Sequence, residues 1–191
     1  MLTPEKPLRA DAQRTREALL DVARAAFAAG DVDIRIDEIA RRAHVGVGTF
    51  YRHFDTRNAI LEAVYRQQLR QLCDVAPKLL RSGSGAESLR SFLEEMMRYA
   101  ERNRGMAAAL GALARSGSPV FEVGRRDLLT SLDLILEAGR ADRTIDGSAR
   151  AESVLLAMSG ACAARNLPQW EDVAAQVVDL VTRGCLSPAA R

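Results

Sequence analysis

Apolar positions recur at three- and four-residue spacing along most of this chain, the pattern of helices that each bury one face. The first such stripe is Leu19, Leu20, Val22, Ala23, Ala26 and Phe27, which predicts a helix capped by Asp11 and ended near Ala29 by Gly30. Between Arg35 and Phe54 the pattern shortens to two small helices around a tight turn. Ile36, Ile39, Ala40 and Ala43 face inward on one, Val45 follows as a buried plug, and Val47, Phe50 and Phe54 form the apolar face of the other. Thr56 then caps a long helix from Arg57 to about Leu80, with Ile60, Leu61, Val64, Tyr65, Leu69 and Leu72 inside and Pro77 kinking or ending it. Ser82-Gly83-Ser84-Gly85 is the clearest linker-like break.

Beyond that break the pattern predicts helices over Glu87 to Arg102, Met106 to Ala114, Pro119 to Gly139, Ala149 to Arg165 and Pro168 to Gly184, with turns at Ser116-Gly117-Ser118 and Asp146-Gly147-Ser148. Met1 to Arg9, with Pro4 and Pro7, has no periodicity and is expected to be a loose arm carrying Lys6 and Arg9; it reads as a frayed end or as a basic arm for a minor groove. The fold class expected is therefore all-α, with about nine helices.

Composition narrows the chemistry. The chain has 191 residues, is 48% hydrophobic but only 5% aromatic, and carries a formal charge of +2, so it is no polycation. Local charge is more uneven: Arg41, Arg42, Arg52 and Arg57 stand against Asp55 alone between residues 39 and 57. Without an eighteen-residue apolar run or a leader-like start, the expected location is cytoplasmic. Cys73, Cys162 and Cys185 are odd in number and lack metal-ligand spacing, so they read as small apolar residues, with a redox switch as the alternative. The only histidines, His44 and His53, fall within the two short helices and their turn, and no metal cluster, phosphate cradle or nucleophile–base pair accompanies them. Glu94 and Glu95 are adjacent, so they point about 100° apart on a helix and read as a solvated face. No enzymatic activity, metal or cofactor is expected.

If Val47, Phe50 and Phe54 face inward, Gly48, Thr49, Arg52 and His53 face outward with Tyr51 at the margin, a short polar rod of the kind that enters a major groove. The stretch VGTFYRHF, preceded by IDEIARRAHVG and followed by DTRNAILEAVY, resembles the DNA-binding module of the TetR family of bacterial repressors, closely over residues 10 to 66. The resemblance implies a helix-turn-helix at 35–54 within a three-helix DNA-binding domain at 10–56, followed by a helical ligand-binding and dimerisation domain at 57–187. It also implies phosphate contacts near Arg14 and Arg16 and at Arg57. With Arg35 and Tyr51 positioning phosphates, and Gly48, Thr49, Arg52 and His53 facing bases or adjoining backbone, double-stranded operator DNA is the expected partner. The chain departs from the family pattern at Arg35, where a hydroxyl cap is usual, at Asp37, often basic, at His44, usually Gly, and at Gly46, usually Ser.

The last two helices are the expected subunit contact. Ala157, Gly160, Ala161 and Ala164 offer a close-approach face, and Trp170, Val173, Val177, Leu180 and Val181 an apolar ridge; the alternative is a purely intramolecular core. In the TetR family the corresponding pair forms a four-helix bundle with its symmetry mate. The resemblance also implies a small-molecule effector. Phe92, Met96, Tyr99, Leu113, Phe121, Leu132 and Met158 are candidates to line its cavity, or else are plain core, and Arg125 either meets an anionic effector or sends its head to water. The expected function is a homodimeric repressor on a near-palindromic operator, released by that effector. The rivals are a regulator whose second domain only dimerises or binds a protein, and a helical binding protein or enzyme with an inert helix-turn-helix.

Overall fold

The computed structural model describes residues 5–115 and 117–190, over which the chain forms two compact units. One comprises residues up to Gln67 together with Asn103–Ser118, and the other Gln68–Arg102 and the chain from Pro119 on. The units thus do not follow a single cut near residue 56, because the segment after Arg102 belongs with the amino-terminal part. Ten α-helices occur among the described residues, one of them a single turn.

In the first unit, α1 (Glu5–Ala28) begins six residues before the expected cap at Asp11. Pro7 lies in its first turn, where a missing N–H costs nothing, so the expected loose arm is helical from Glu5. Residues 1–4 and the side chains of Lys6 and Arg9 lie outside the described residues. Leu19, Ala23 and Phe27 are fully buried along α1, whereas Val22 is only half-buried. Gly30, at φ 85°, closes the helix: its N–H donates to Phe27 O (3.0 Å) and that of Asp31 to Ala26 O (3.0 Å), a Schellman pair.

Helix α2 (Ile36–Arg42) ends the same way without a glycine. His44 takes φ 56° while His44 N–H donates to Arg41 O and Val45 N–H to Ala40 O. Imidazole tolerates this left-handed backbone better than most side chains, which is how histidine serves in a turn usually made by glycine. Val45 is half-buried rather than a full plug. Helix α3 (Val47–His53) follows Gly46, which makes no side-chain cap. Phe50 and Phe54 anchor it, 0% and 4% exposed, with ring centroids 5.8 Å apart. Thr56 Oγ1 accepts from Ala59 N–H (3.1 Å) and caps α4 (Arg57–Cys73). A 3-10 turn at Arg104–Met106 and α7 (Ala107–Arg115) complete the unit; Ser116, in the expected turn, lies outside the described residues.

The fourth helix stops seven residues short of the expected Leu80. Pro77 cannot donate to Cys73 O and its ring would strike that carbonyl, so the helix ends at Cys73 and the single turn α5 (Ala76–Leu79) starts around the proline.

Helix α6 (Gly85–Arg102) is the hub of the second unit, packed on α8 (Val120–Ala141), α9 (Ala151–Ala163) and α10 (Trp170–Cys185). The Ser82–Gly85 stretch is no linker. Ser84 and Glu87 make a capping box, Ser84 N–H donating to Glu87 Oε2 (2.8 Å) and Glu87 N–H to Ser84 Oγ (3.3 Å). Asp142 Oδ2 accepts from Gly85 N–H (2.7 Å) and Thr144 Oγ1 from Ala86 N–H (3.1 Å), so the loop after α8 completes the cap.

Candidate nucleic-acid interface

Helix α3 presents a different arc from the one its apolar spacing predicts. Val47, expected inside, is 40% exposed, because at the first helical position its side chain points back beyond the helix start. Tyr51, expected at the margin, is 51% exposed, its ring set edge-on against Phe50 with centroids 5.6 Å apart. The outward arc is therefore Val47, Gly48, Tyr51 and Arg52, while Thr49 and His53 are half-buried on one flank. Phe50 alone decides this rotation: a fully buried aromatic on a seven-residue helix orients the whole rod.

The charges around this arc are largely tied down. Arg14 is paired with Asp11 one turn back, and Arg35 Nε donates to Asp37 Oδ1 (3.0 Å), so the acid where a basic residue is common is engaged by the guanidinium that replaces the usual cap. Arg57 Nη2 donates to Asp33 Oδ1 (3.2 Å), a partner almost wholly in solvent that DNA phosphate can displace. Arg16 lies 5.0 Å from the centroid of the Phe54 ring, a cation–π contact that steadies it beside α3. Arg52 is exposed and makes no ion pair among the described residues.

Sequence reasoning missed Glu38. Its two oxygens accept from Arg41 (2.6 and 2.7 Å) and from Arg42 Nε (2.6 Å), and these bonds, Arg41's first, pull its pKa from the usual carboxylate range down to about 2. The signal was available as acid-to-base spacing of three and four on one helix. A depressed carboxylate pKa means that the triad's contribution is complete above the unfolded carboxylate range and fades as pH falls toward 2. Two of the four arginines counted as a local basic excess are thus shared with one carboxylate. We expect Glu38→Gln to steepen the salt dependence of DNA binding, by about 0.9 in the log–log slope for each guanidinium newly engaged with phosphate; titrating labelled duplex across salt concentrations checks this.

The other expected sites fare differently. Phe92, Met96, Leu132 and Met158 are buried together where α6, α8 and α9 meet. Tyr99 and Phe121 are half-buried, Arg125 is exposed, and Leu113 is buried in the other unit. Of the subunit-contact set, Trp170 is turned into its own protomer, 4% exposed, with Nε1 donating to Ala161 O (2.7 Å). Ala157, Gly160, Val173 and Leu180 are exposed, and Ala161, Ala164, Val177 and Val181 half-buried. Leu156, overlooked in the sequence, is 75% exposed one turn before Gly160. Burial raises all three thiol pKa values, that of Cys162 to about 11, which leaves little reactive thiolate. Among the described residues no three potential metal ligands cluster, and no helix is long and apolar enough to cross a membrane.

Residues 19–64, which hold the whole helix-turn-helix and the start of α4, match the family model described as bacterial regulatory proteins of the tetR family. No curated protein matches the chain. Among solved structures, the TetR transcriptional regulator SCO0520 of Streptomyces coelicolor is 33% identical over 91% of this chain and 99% of its own, with a TM-score of 0.73. A TetR transcription regulatory protein of Mycobacterium vanbaalenii is 32% identical over 94% and 99%, with a TM-score of 0.70. The transcriptional regulator FadR of Bacillus subtilis, solved in complex with stearoyl-CoA, shares the fold at 17% identity over 88% and 98%, with a TM-score of 0.67. With its helix-turn-helix intact and identities above 30% over nearly the full length of two such regulators, this chain belongs to the TetR family of DNA-binding transcriptional regulators.

Proposed function

We propose that this regulator is a repressor that binds a near-palindromic operator as a homodimer and is released by a small molecule. The observation that carries the reading is the outward arc of α3, where Tyr51 and Arg52 stand in solvent with nothing of their own unit over them. In this reading Arg14, Arg35, Tyr51 and Arg57 engage phosphates, exchanging weak surface carboxylate partners for the duplex. Gly48 permits close approach, while Arg52, with Thr49 and His53 at the flank, meets base edges and adjoining backbone. Residues 10–56 are then the DNA-binding part, and residues 57–187 carry dimerisation and the response.

Dimerisation is supported by the bare face of α9 and α10, where Leu156, Leu180 and Val173 are 75%, 63% and 43% exposed. A twofold pair would set two recognition helices about 34–36 Å apart, one turn of duplex. That FadR, a fold relative, was solved with a bound acyl-CoA supports a small-molecule effector here. Helix α4 runs without interruption from the Thr56 cap into the second unit as far as Cys73, so it is the covalent rod through which an effector would act.

The test is titration of a fluorescent duplex from upstream of the protein's own gene, read by anisotropy. We expect two chains per site and an affinity that falls about 10³- to 10⁵-fold between 50 and 200 mM salt if about 6–10 phosphates are engaged. Leu156→Glu with Leu180→Glu should leave a folded monomer by sedimentation and remove that binding. One chain per site, or binding that survives this variant, would overturn the dimeric reading.

A further inference from the structure

Val47 opens α3 with its side chain 40% exposed, although a branched aliphatic group gains nothing from water. The buried face of the helix is already filled by Phe50 and Phe54. At about 100° per residue, Val47 stands about 40° from Tyr51 and about 100° from Gly48, so it belongs to the arc turned toward the duplex.

Its surroundings leave it open. Val47 lies between Gly46 and Gly48, and a Cβ built on either glycine would meet nothing within 4 Å. Neither neighbour carries a side chain to shield the valine methyls, and the backbone on both sides can come close to a groove floor. Branching at Cβ leaves one strongly preferred rotamer in a helix, so the methyls point in a fixed direction and little freedom is lost on contact.

A recognition helix meets base edges with its amino-terminal residues, and Val47 is the first residue of α3. We infer that Val47 reads a thymine in each half-site through the C5-methyl of the base. That methyl is the apolar group displayed in the major groove; guanine shows two acceptors there, adenine an acceptor and a donor, and cytosine a donor. Valine can satisfy none of these, so over a G·C pair it would strip water from polar edges and return no hydrogen bond. The side chain selects both by attraction to the methyl and by the penalty against other bases. The arc thus divides its work, Arg52 supplying donors and Val47 the apolar contact.

This assignment rests on the reading that α3 enters the major groove, and the test separates the two. The full chain first selects sites from a random duplex library. Each thymine of the selected site is then replaced, in both half-sites, by deoxyuridine, which pairs identically and lacks only the methyl. At one thymine position the wild-type chain should lose about fourfold in affinity per methyl, about fifteenfold for the symmetric pair. This scan needs no protein variant. Val47→Ala, an exposed change whose fold circular dichroism verifies, should bind the thymine and uracil duplexes alike at that position, and the sites it selects should no longer demand thymine there. Equal wild-type affinity for thymine and uracil at every position, with binding still lost on Tyr51→Ala with Arg52→Ala, would overturn the valine assignment alone. So would a uracil penalty as large in Val47→Ala as in the wild type, which is what a merely structural valine would give. Absence of selective binding, or binding that survives the Tyr51 and Arg52 substitutions, would overturn the groove reading and the assignment with it.

Discussion

Replacing Tyr51 and Arg52 together by alanine should abolish operator binding while leaving the protein folded and its assembly unchanged. Both side chains are exposed, so their removal from the fold costs little; the edge contact of Tyr51 with Phe50 is worth about 0.5–1.5 kcal/mol and Arg52 contributes within about 0.5 kcal/mol. On DNA the balance reverses. Each contact to base edge or phosphate is worth about 1–3 kcal/mol, and a dimer loses four of them, so affinity should drop by about a thousandfold or more. Anisotropy on the wild-type operator gives the loss, and thermal unfolding with sedimentation gives the controls. Retention of tight, sequence-selective binding by a folded double variant would remove α3 from the interface.

Gly85→Ala should be the most damaging single methyl in the second unit. A Cβ there would lie 2.1 Å from Gly139 Cα and 2.3 Å from its nitrogen, both backbone atoms that cannot swing aside. Ordinary carbon contacts need about 3.5–4.0 Å, so α6 and α8 would have to separate by more than 1 Å. That movement also strains the bonds that Gly85 N–H and Ala86 N–H donate to Asp142 and Thr144. Overpacking at about 1–3 kcal/mol plus two hydrogen bonds at about 0.5–1.5 kcal/mol each gives a loss of about 2–6 kcal/mol, a large part of a typical domain's stability. Gly111→Ala in α7 is the control. Its new methyl meets only Arg115 Nη1 at 3.5 Å, and it should stabilise by about 0.5–1 kcal/mol. Urea unfolding compares the two, and equal midpoints would refute the close crossing of α6 and α8.

The family and the all-helical class were legible in the linear chain, because helix periodicity, caps and the VGTFYRHF stretch are local properties that a few neighbouring residues decide. The left-handed His44, the uncapped Gly46 and the Thr56 cap were legible for the same reason. Pro77 was noticed but its effect displaced, since the clash it causes falls four residues upstream, at Cys73. The Ser82–Gly85 stretch misled because small polar residues serve both linkers and caps, and only the approach of Gly139 and Asp142 from 54 and 57 positions along the chain selects the cap.

By itself, then, the sequence determined which segments are helices, where several of them start and stop, and which family the chain belongs to. Tertiary structure alone decided which way each helix is turned. Phe50, seated in the first unit's core, swings Tyr51 out and Thr49 and His53 aside, and Trp170, bonded to Ala161, turns inward while Leu156 and Leu180 on the same helix pair stay exposed. The physical reason is the same in each case. Periodicity marks which residues share a stripe, but the rotation of that stripe is set by the largest side chain that finds a hole in a distant part of the chain.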